Sequence, residues 1–212
     1  MRQRLLVISV ALLLAGCTAF GVRSGTEEPP FEVLAALDGS TEIRRYGPRL
    51  AAETAVAAEP GARNAAFRVL AGYIFGGNQG ERRIAMTVPV ETQEPGQRIA
   101  MTVPVEVDEA TGELRMRFFL PSEFTLDTAP LPNDPRVTLV ELEPTTVAVR
   151  RFTGSTANTA VALETTALLA ALDGSPWVAL GEPVAYFYDP PWTLPPARRN
   201  EVVVPVTRRD ES

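Results

Sequence analysis

The chain has 212 residues and no histidine, so it can build neither a Ser-His-Asp nor a Cys-His catalytic arrangement, and it offers no imidazole to zinc or haem iron. Its single cysteine excludes an intrachain disulfide and any CxxC motif. A net charge of −6 without a long basic run argues against nucleic-acid binding, while 45% hydrophobic and 22% charged residues describe a globular chain.

The N-terminus reads as an export signal. Arg2 and Arg4 precede an apolar run over residues 5–15, too short to span a bilayer. Leu14-Ala15-Gly16-Cys17 then resembles a bacterial lipobox, in which the cysteine receives a diacylglycerol and becomes the mature N-terminus. Thr18, where aspartate would stand in an inner-membrane signal, implies the outer membrane by the same resemblance. The expected organisation is a signal peptide over 1–16, a lipidated N-terminus and flexible tether over 17–30, a folded domain over 31–206 and a polar tail over 207–212. Such a protein is held to the cell envelope by its lipid, facing the periplasm, because an acidic body does not lie flat on an anionic membrane.

Strands are predicted over 31–36 and 41–56, joined at Asp38-Gly39, a hairpin signal, with a bend at Gly47-Pro48. Phe67, Leu70, Ala71 and Ile74 fall at i, i+3, i+4 and i+7 and predict a helix over 62–75. Arg63, Asn64 and Arg68 lie outside that stripe, and Gly76-Gly77-Asn78 supplies the stop. Residues 84–91 read Ile-Ala-Met-Thr-Val-Pro-Val-Glu, and residues 99–106 read the same eight letters. With Glu-Pro-Gly between them, the two copies are expected as the strands of one hairpin. Alternation sets Ile84, Met86, Val88 and Val90 on one face, with Pro89 and Pro104 at an edge, bulge or strand end. Glu91 and Glu106 occupy matching positions; they read as solvated strand ends rather than a catalytic carboxylate pair.

A strand over 113–120 and a proline-rich connection over 121–135 follow. Residues 137–152 are extended with a bend at Pro144, and 155–172 are helical with Val161, Leu168 and Leu172 in one stripe. Strands over 182–188 and 201–206 flank a proline-rich turn. Each half thus runs extended segment, helix, strands, which predicts an α+β domain with a strongly bent antiparallel sheet and two helices.

Four motifs in order carry a family resemblance. They are Phe67-Arg68-Val69-Leu70-Ala71-Gly72-Tyr73-Ile74-Phe75-Gly76-Gly77-Asn78, then Ile-Ala-Met-Thr-Val-Pro-Val, then Tyr188-Asp189-Pro190-Pro191-Trp192-Thr193, then Arg198-Arg199-Asn200-Glu201-Val202. Together they resemble the SOUL haem-binding family over residues 31–206. The resemblance implies a distorted antiparallel β-barrel flanked by two helices and built from two pseudo-symmetric halves. It implies binding of haem or another porphyrin, with no enzymatic activity. The same fold is similar to effector-binding domains of bacterial regulators that hold amphipathic small molecules.

The resemblance places a ligand groove between the first helix and the sheet, where Phe67, Leu70 and Ile74 either line the groove or pack the core. Met86 and Met101 are soft ligands, a pliable wall for a flat ligand, or core. Arg198 and Arg199 match propionates bidentately, or pair with Glu201, or lie in solvent. Tyr46, Tyr73, Tyr186 and Tyr188 are the only aromatic oxygens, and residues 189–193 read as a rigid structural loop. Haem, if held, is held without histidine, and no structural metal is expected. Three functions stay open: a tetrapyrrole-binding envelope lipoprotein, a binder of other amphipathic molecules, and a structural or interaction lipoprotein whose groove is closed.

Overall fold

The structure, a computed structural model, describes residues 26–94 and 112–209. In chain order the elements are β1 Phe31–Ala36, β2 Thr41–Tyr46, β3 Arg49–Ala57, α1 Ala62–Ile74, β4 Val90–Gln93, β5 Glu113–Phe119 and β6 Thr138–Leu142. They continue with β7 Thr145–Phe152, α2 Asn158–Leu172, β8 Trp177–Ala179, β9 Val184–Phe187 and β10 Asn200–Arg208. The strands form one antiparallel sheet in the order β1-β2-β7-β10-β9-β4-β5-β3-β6, curled into a half-barrel, with β8 paired to the far end of β10. Two helices complete an α+β fold.

The two halves are copies of one plan. The unit β3-α1-β4-β5 places its strands in the order β4-β5-β3, and the unit β7-α2-β9-β10 places its strands as β9-β10-β7. The units meet where β4 pairs with β9, with Glu91 opposite Tyr186. The strand that precedes each unit crosses to the other half: β2 pairs with β7, and β6 with β3. Gly47-Pro48 and Pro144 mark these crossings. Proline donates nothing to a ladder and restricts the residue before it, so the chain leaves one half there and enters the other. The extended segments expected over 41–56 and 137–152 are therefore each two strands in different halves.

Alternation divides the side chains between the faces. Leu114, Met116 and Phe118 of β5, with Leu50 and Ala52, pack against Ala62, Ala66, Leu70, Tyr73 and Ile74 of α1. Val202, Val204 and Ala148 pack against Leu168 and Leu172 of α2. The intervening residues Phe119, Val147, Val149, Tyr186 and Val203, with Tyr46 and Tyr188, form a third cluster on the face turned away from the helices. The buried stripe of α1 differs from the expected one, for Phe67 is 39% exposed. The small residues Ala62 and Ala66 let the helix lie close to the sheet, and a pattern weighted by large side chains overlooks them. The helix does stop as expected. Gly76 sits at φ +116°, and the Gly77 N–H donates to Gly72 O at 2.8 Å. A Cβ at Gly77 would stand 2.7 Å from that same oxygen. The Asn78 amide donates to Tyr73 O and Arg82 O and accepts from the Arg82 N–H.

The repeated segment departs most from expectation. Only residues 90–93 of the first copy's region are strand; 84–89 are irregular. The Val88 N–H donates to Glu27 O, and the Thr87 hydroxyl donates to Phe119 O. Strand β4 has β5 on one side and β9 on the other, so it has no edge left for a hairpin partner. The second copy, with Met101, Pro104 and Glu106, lies outside the described residues, as does Cys17 with the expected lipobox. Glu91 is not a solvated strand end: it is 5% exposed, because β4 is interior to the sheet.

The last residues of the expected tether are tied to the domain. Glu27 accepts from the Ser122 N–H, and Glu28 pairs with Arg199. Residues 26–30 thus form a strap from the first half to the second. Arg63 makes another link, donating from α1 to Glu94, to Thr156 O and to Asn158 at the start of α2.

Candidate ligand-binding site

An open cleft of about 730 Å³ lies beside the N-terminal half of α1, lined by Val56, Ala57, Pro60, Ala65, Phe67 and Arg68 among others. Its volume is that of a small-molecule site, which spans roughly 300–1,000 Å³. Its shape follows from the register. Strand β3 runs out past the end of β6, so among the described residues Val56 and Ala57 carry no second neighbour strand there. Gly61, at φ +90°, turns the chain back so that α1 lies over them. Phe67 meets the Phe118 ring in an edge-to-face arrangement at 5.2 Å between centroids and lines the cleft. Glu59, Asn64 and Arg68 add polar groups around this apolar wall.

Among the described residues the expected site residues do not come together, and Met101 lies outside them. Phe67 lines the cleft, whereas Leu70 and Ile74 are fully buried beneath α1 in the first core cluster. Met86 stands on the irregular segment after α1 and is 37% exposed, outside the core. Arg198 and Arg199 precede β10 in the other half. Arg198 donates to Thr193 O and Pro191 O and so fixes the proline-rich loop. Asp189 in the same loop accepts from the Arg199 N–H.

Arg199 belongs instead to a buried polar cluster centred on Glu201, whose side chain is fully buried. Glu201 Oε1 accepts from Arg44 Nη2 at 3.1 Å, Arg199 Nε at 3.1 Å and Arg199 Nη2 at 3.0 Å. Its Oε2 accepts from Arg44 Nη1 at 2.9 Å and the Tyr188 hydroxyl at 2.6 Å. Burial alone pushes this carboxyl up. The Arg44 hydrogen bonds and charge, with Arg199 and Tyr188, outweigh it and hold the group below the usual carboxylate range. Arg44 also pairs with Glu42. The guanidinium of Arg199 stacks on the Tyr188 ring at 3.8 Å, and that of Arg44 on Phe31 at 4.2 Å. A carboxylate inside the valine run of β10 was the available signal for this cluster. Alternation in β2, which puts Glu42, Arg44 and Tyr46 on one face, was the second.

A tetrapyrrole offers a flat apolar ring and carboxylates. Phe67 with its apolar neighbours suits the ring, and Arg68 suits a propionate. The iron fares differently. Every tyrosine is held protonated: burial pushes Tyr73 up to about 12 and raises Tyr46, Tyr186 and Tyr188 as well. The Tyr73 hydroxyl donates to Pro130 O and that of Tyr188 to Glu201, while that of Tyr186 accepts from Arg49. Among the described residues no group of three or more Cys, Asp or Glu side chains is placed to hold a metal ion. Met86 is the one described thioether at the surface, since Met116 is buried.

The model of the SOUL heme-binding protein family matches residues 26–205, and the chain belongs to that family. No curated protein matches the chain. Among solved structures, the C-terminal domain of EcmrR is similar with a TM-score of 0.56 and 10% identity, over 79% of this chain and 97% of that one. An uncharacterized conserved protein from Listeria innocua has a TM-score of 0.57 and 12% identity, over 79% and 92%. A hydrolase from Listeria innocua has a TM-score of 0.52 and 11% identity, over 81% and 94%. At such identities the likeness is one of fold.

Proposed function

We propose that this protein binds a tetrapyrrole in the cleft beside α1, with no strong bond to the iron. The observation that carries the proposal is Phe67: a large aromatic side chain of the SOUL motif, turned outward to an open cleft rather than into the core. Affinity comes from covering the ring, at about 25 cal/mol per Å² of apolar surface removed from water. Arg68 adds a charge-assisted bond at the rim. The role is binding rather than catalysis. Family membership over residues 26–205 supports the ligand class. A second reading, binding of another amphipathic molecule, is favoured by the absence of histidine in the chain.

The test is a fluorescence titration of the purified domain with protoporphyrin, set beside the same titration of Phe67→Ala and of Leu163→Ala on the exposed side of α2. Phe67→Ala is expected to weaken binding about tenfold, the loss of most of one aromatic contact, and Leu163→Ala to leave it unchanged. Equal effects of the two variants would mean adsorption to apolar surface in general.

We propose further that the protein is an envelope lipoprotein attached through Cys17, with the domain on the periplasmic side of the outer membrane. The charged start, short apolar run and Leu-Ala-Gly-Cys support this. Cys17→Ser is expected to move the protein out of the membrane fraction or leave it unprocessed. Unchanged attachment and processing contradict the proposal.

A further inference from the structure

We propose that Arg199 is a second ligand site, one that takes a carboxylate on a flat apolar body, and that the protein's own strap over residues 26–30 occupies it in the structure. The site lies on the face turned away from the helices, apart from the α1 cleft, and does not depend on the tetrapyrrole reading.

Three observations converge. First, the Arg199 guanidinium is held on two sides by buried groups: Nε and Nη2 hold Glu201, and the plane lies on Tyr188. Its remaining nitrogen, Nη1, meets both oxygens of Glu28 at 3.1 and 3.0 Å. A guanidinium fixed in this way presents one ready edge to an incoming carboxylate. Second, the group filling that edge is peripheral. Glu28 belongs to no strand, its side chain is one-third exposed, and its neighbour Glu27 is held by two hydrogen bonds, from Val88 and Ser122. Third, an aromatic ring stands beside the strap, on the first residue of β1. Phe31 is 37% exposed, lies on the Arg44 guanidinium and is tilted against Tyr46 at 5.5 Å. A carboxylate on Arg199 with its body against the exposed side of the Phe31 ring describes an aromatic carboxylate. The charges agree: Arg44 and Arg199 outnumber the buried Glu201, and the balance is one further carboxylate from the rim for each arginine, Glu42 on Arg44 and Glu28 on Arg199. A ligand carboxylate in the place of Glu28 keeps that balance.

The strap then sets the apparent affinity, because a ligand sees only the fraction of molecules in which the strap is off. The experiment follows the Arg199 Nε–H resonance by NMR in the chain and in Glu28→Gln while 2-naphthoate is added, with the uncharged 2-naphthamide as control. Glu28→Gln is expected to show a saturable shift of that resonance at about tenfold lower 2-naphthoate than the unaltered protein, as for a strap seated about nine-tenths of the time. The amide is expected to leave the resonance in place. Arg199→Lys in the Glu28→Gln background keeps the charge but loses the fork, and is expected to abolish the added sensitivity, read from the Tyr188 ring resonances. An identical response of Glu28→Gln and the unaltered protein, or an equal response to acid and amide, overturns the proposal. Because the probe is not a porphyrin, failure here and failure of the tetrapyrrole reading are separate results.

Discussion

The two halves of the sheet place opposite charges at equivalent points. They meet at Glu91 and Tyr186, and one strand outward from each lie Arg117 on β5 and Glu201 on β10. Arg117 is a cation held by two carboxylates, Glu53 and Glu91. Glu201 is a carboxylate held by two arginines, Arg44 and Arg199. Water still reaches the first cluster, where Arg117 and Glu53 keep about a fifth of their side-chain surface; it does not reach Glu201. The same backbone plan thus carries a partly solvated ion cluster in one half and one with a sealed carboxylate in the other. The first half invests its exposed side chains in the α1 cleft, and the second closes over its polar centre with the N-terminal strap.

The sharpest way to break this comparison is to neutralise each centre. Glu201→Gln leaves two arginines sharing a dry site without their anion and is expected to lower stability by about 3–5 kcal/mol. Arg117→Gln, at the wetter position, is expected to lose about 1–3 kcal/mol. Urea unfolding of both variants checks this, and equal losses would remove the distinction.

A smaller effect sharpens the same point through pH. The folded-state carboxyl of Glu201 lies below its unfolded value, which is about 4.3. Its contribution to stability is therefore whole above that unfolded value and is lost as pH falls through the folded pKa. The melting temperature is expected to fall steeply below about pH 4.3, and the Glu201→Gln curve to be flatter over the same range. Parallel curves would mean that other carboxylates govern acid unfolding.

The class of fold was legible because its signals are local. Asp38-Gly39, Gly76-Gly77-Asn78 and the helical spacing of Leu70 and Ile74 each act within a few residues. The crossing of β2 and β6 between halves was not, since nothing in residues 41–56 says that the chain on either side of Gly47-Pro48 finds different partners. Strand β8 was missed for a related reason: its three residues pair only with the end of β10 and carry no alternation of their own. At the site, the motif pointed to Phe67, but helical periodicity placed it in the core; the burial of Ala62 and Ala66 turned it outward. Arg199 was visible as a candidate for a carboxylate. That Glu28, 171 positions earlier in the chain, supplies one is a tertiary fact no local pattern carries.

The central claim is that the ring rather than the iron is recognised. Parallel titrations of the domain with haemin and with metal-free protoporphyrin test it most directly, read by fluorescence quenching and, for haemin, by the absorption spectrum. With no histidine in the chain and all four tyrosines held protonated by burial, the two ligands are expected to bind with affinities within about threefold of each other. A large preference for haemin with a six-coordinate low-spin spectrum would contradict the account.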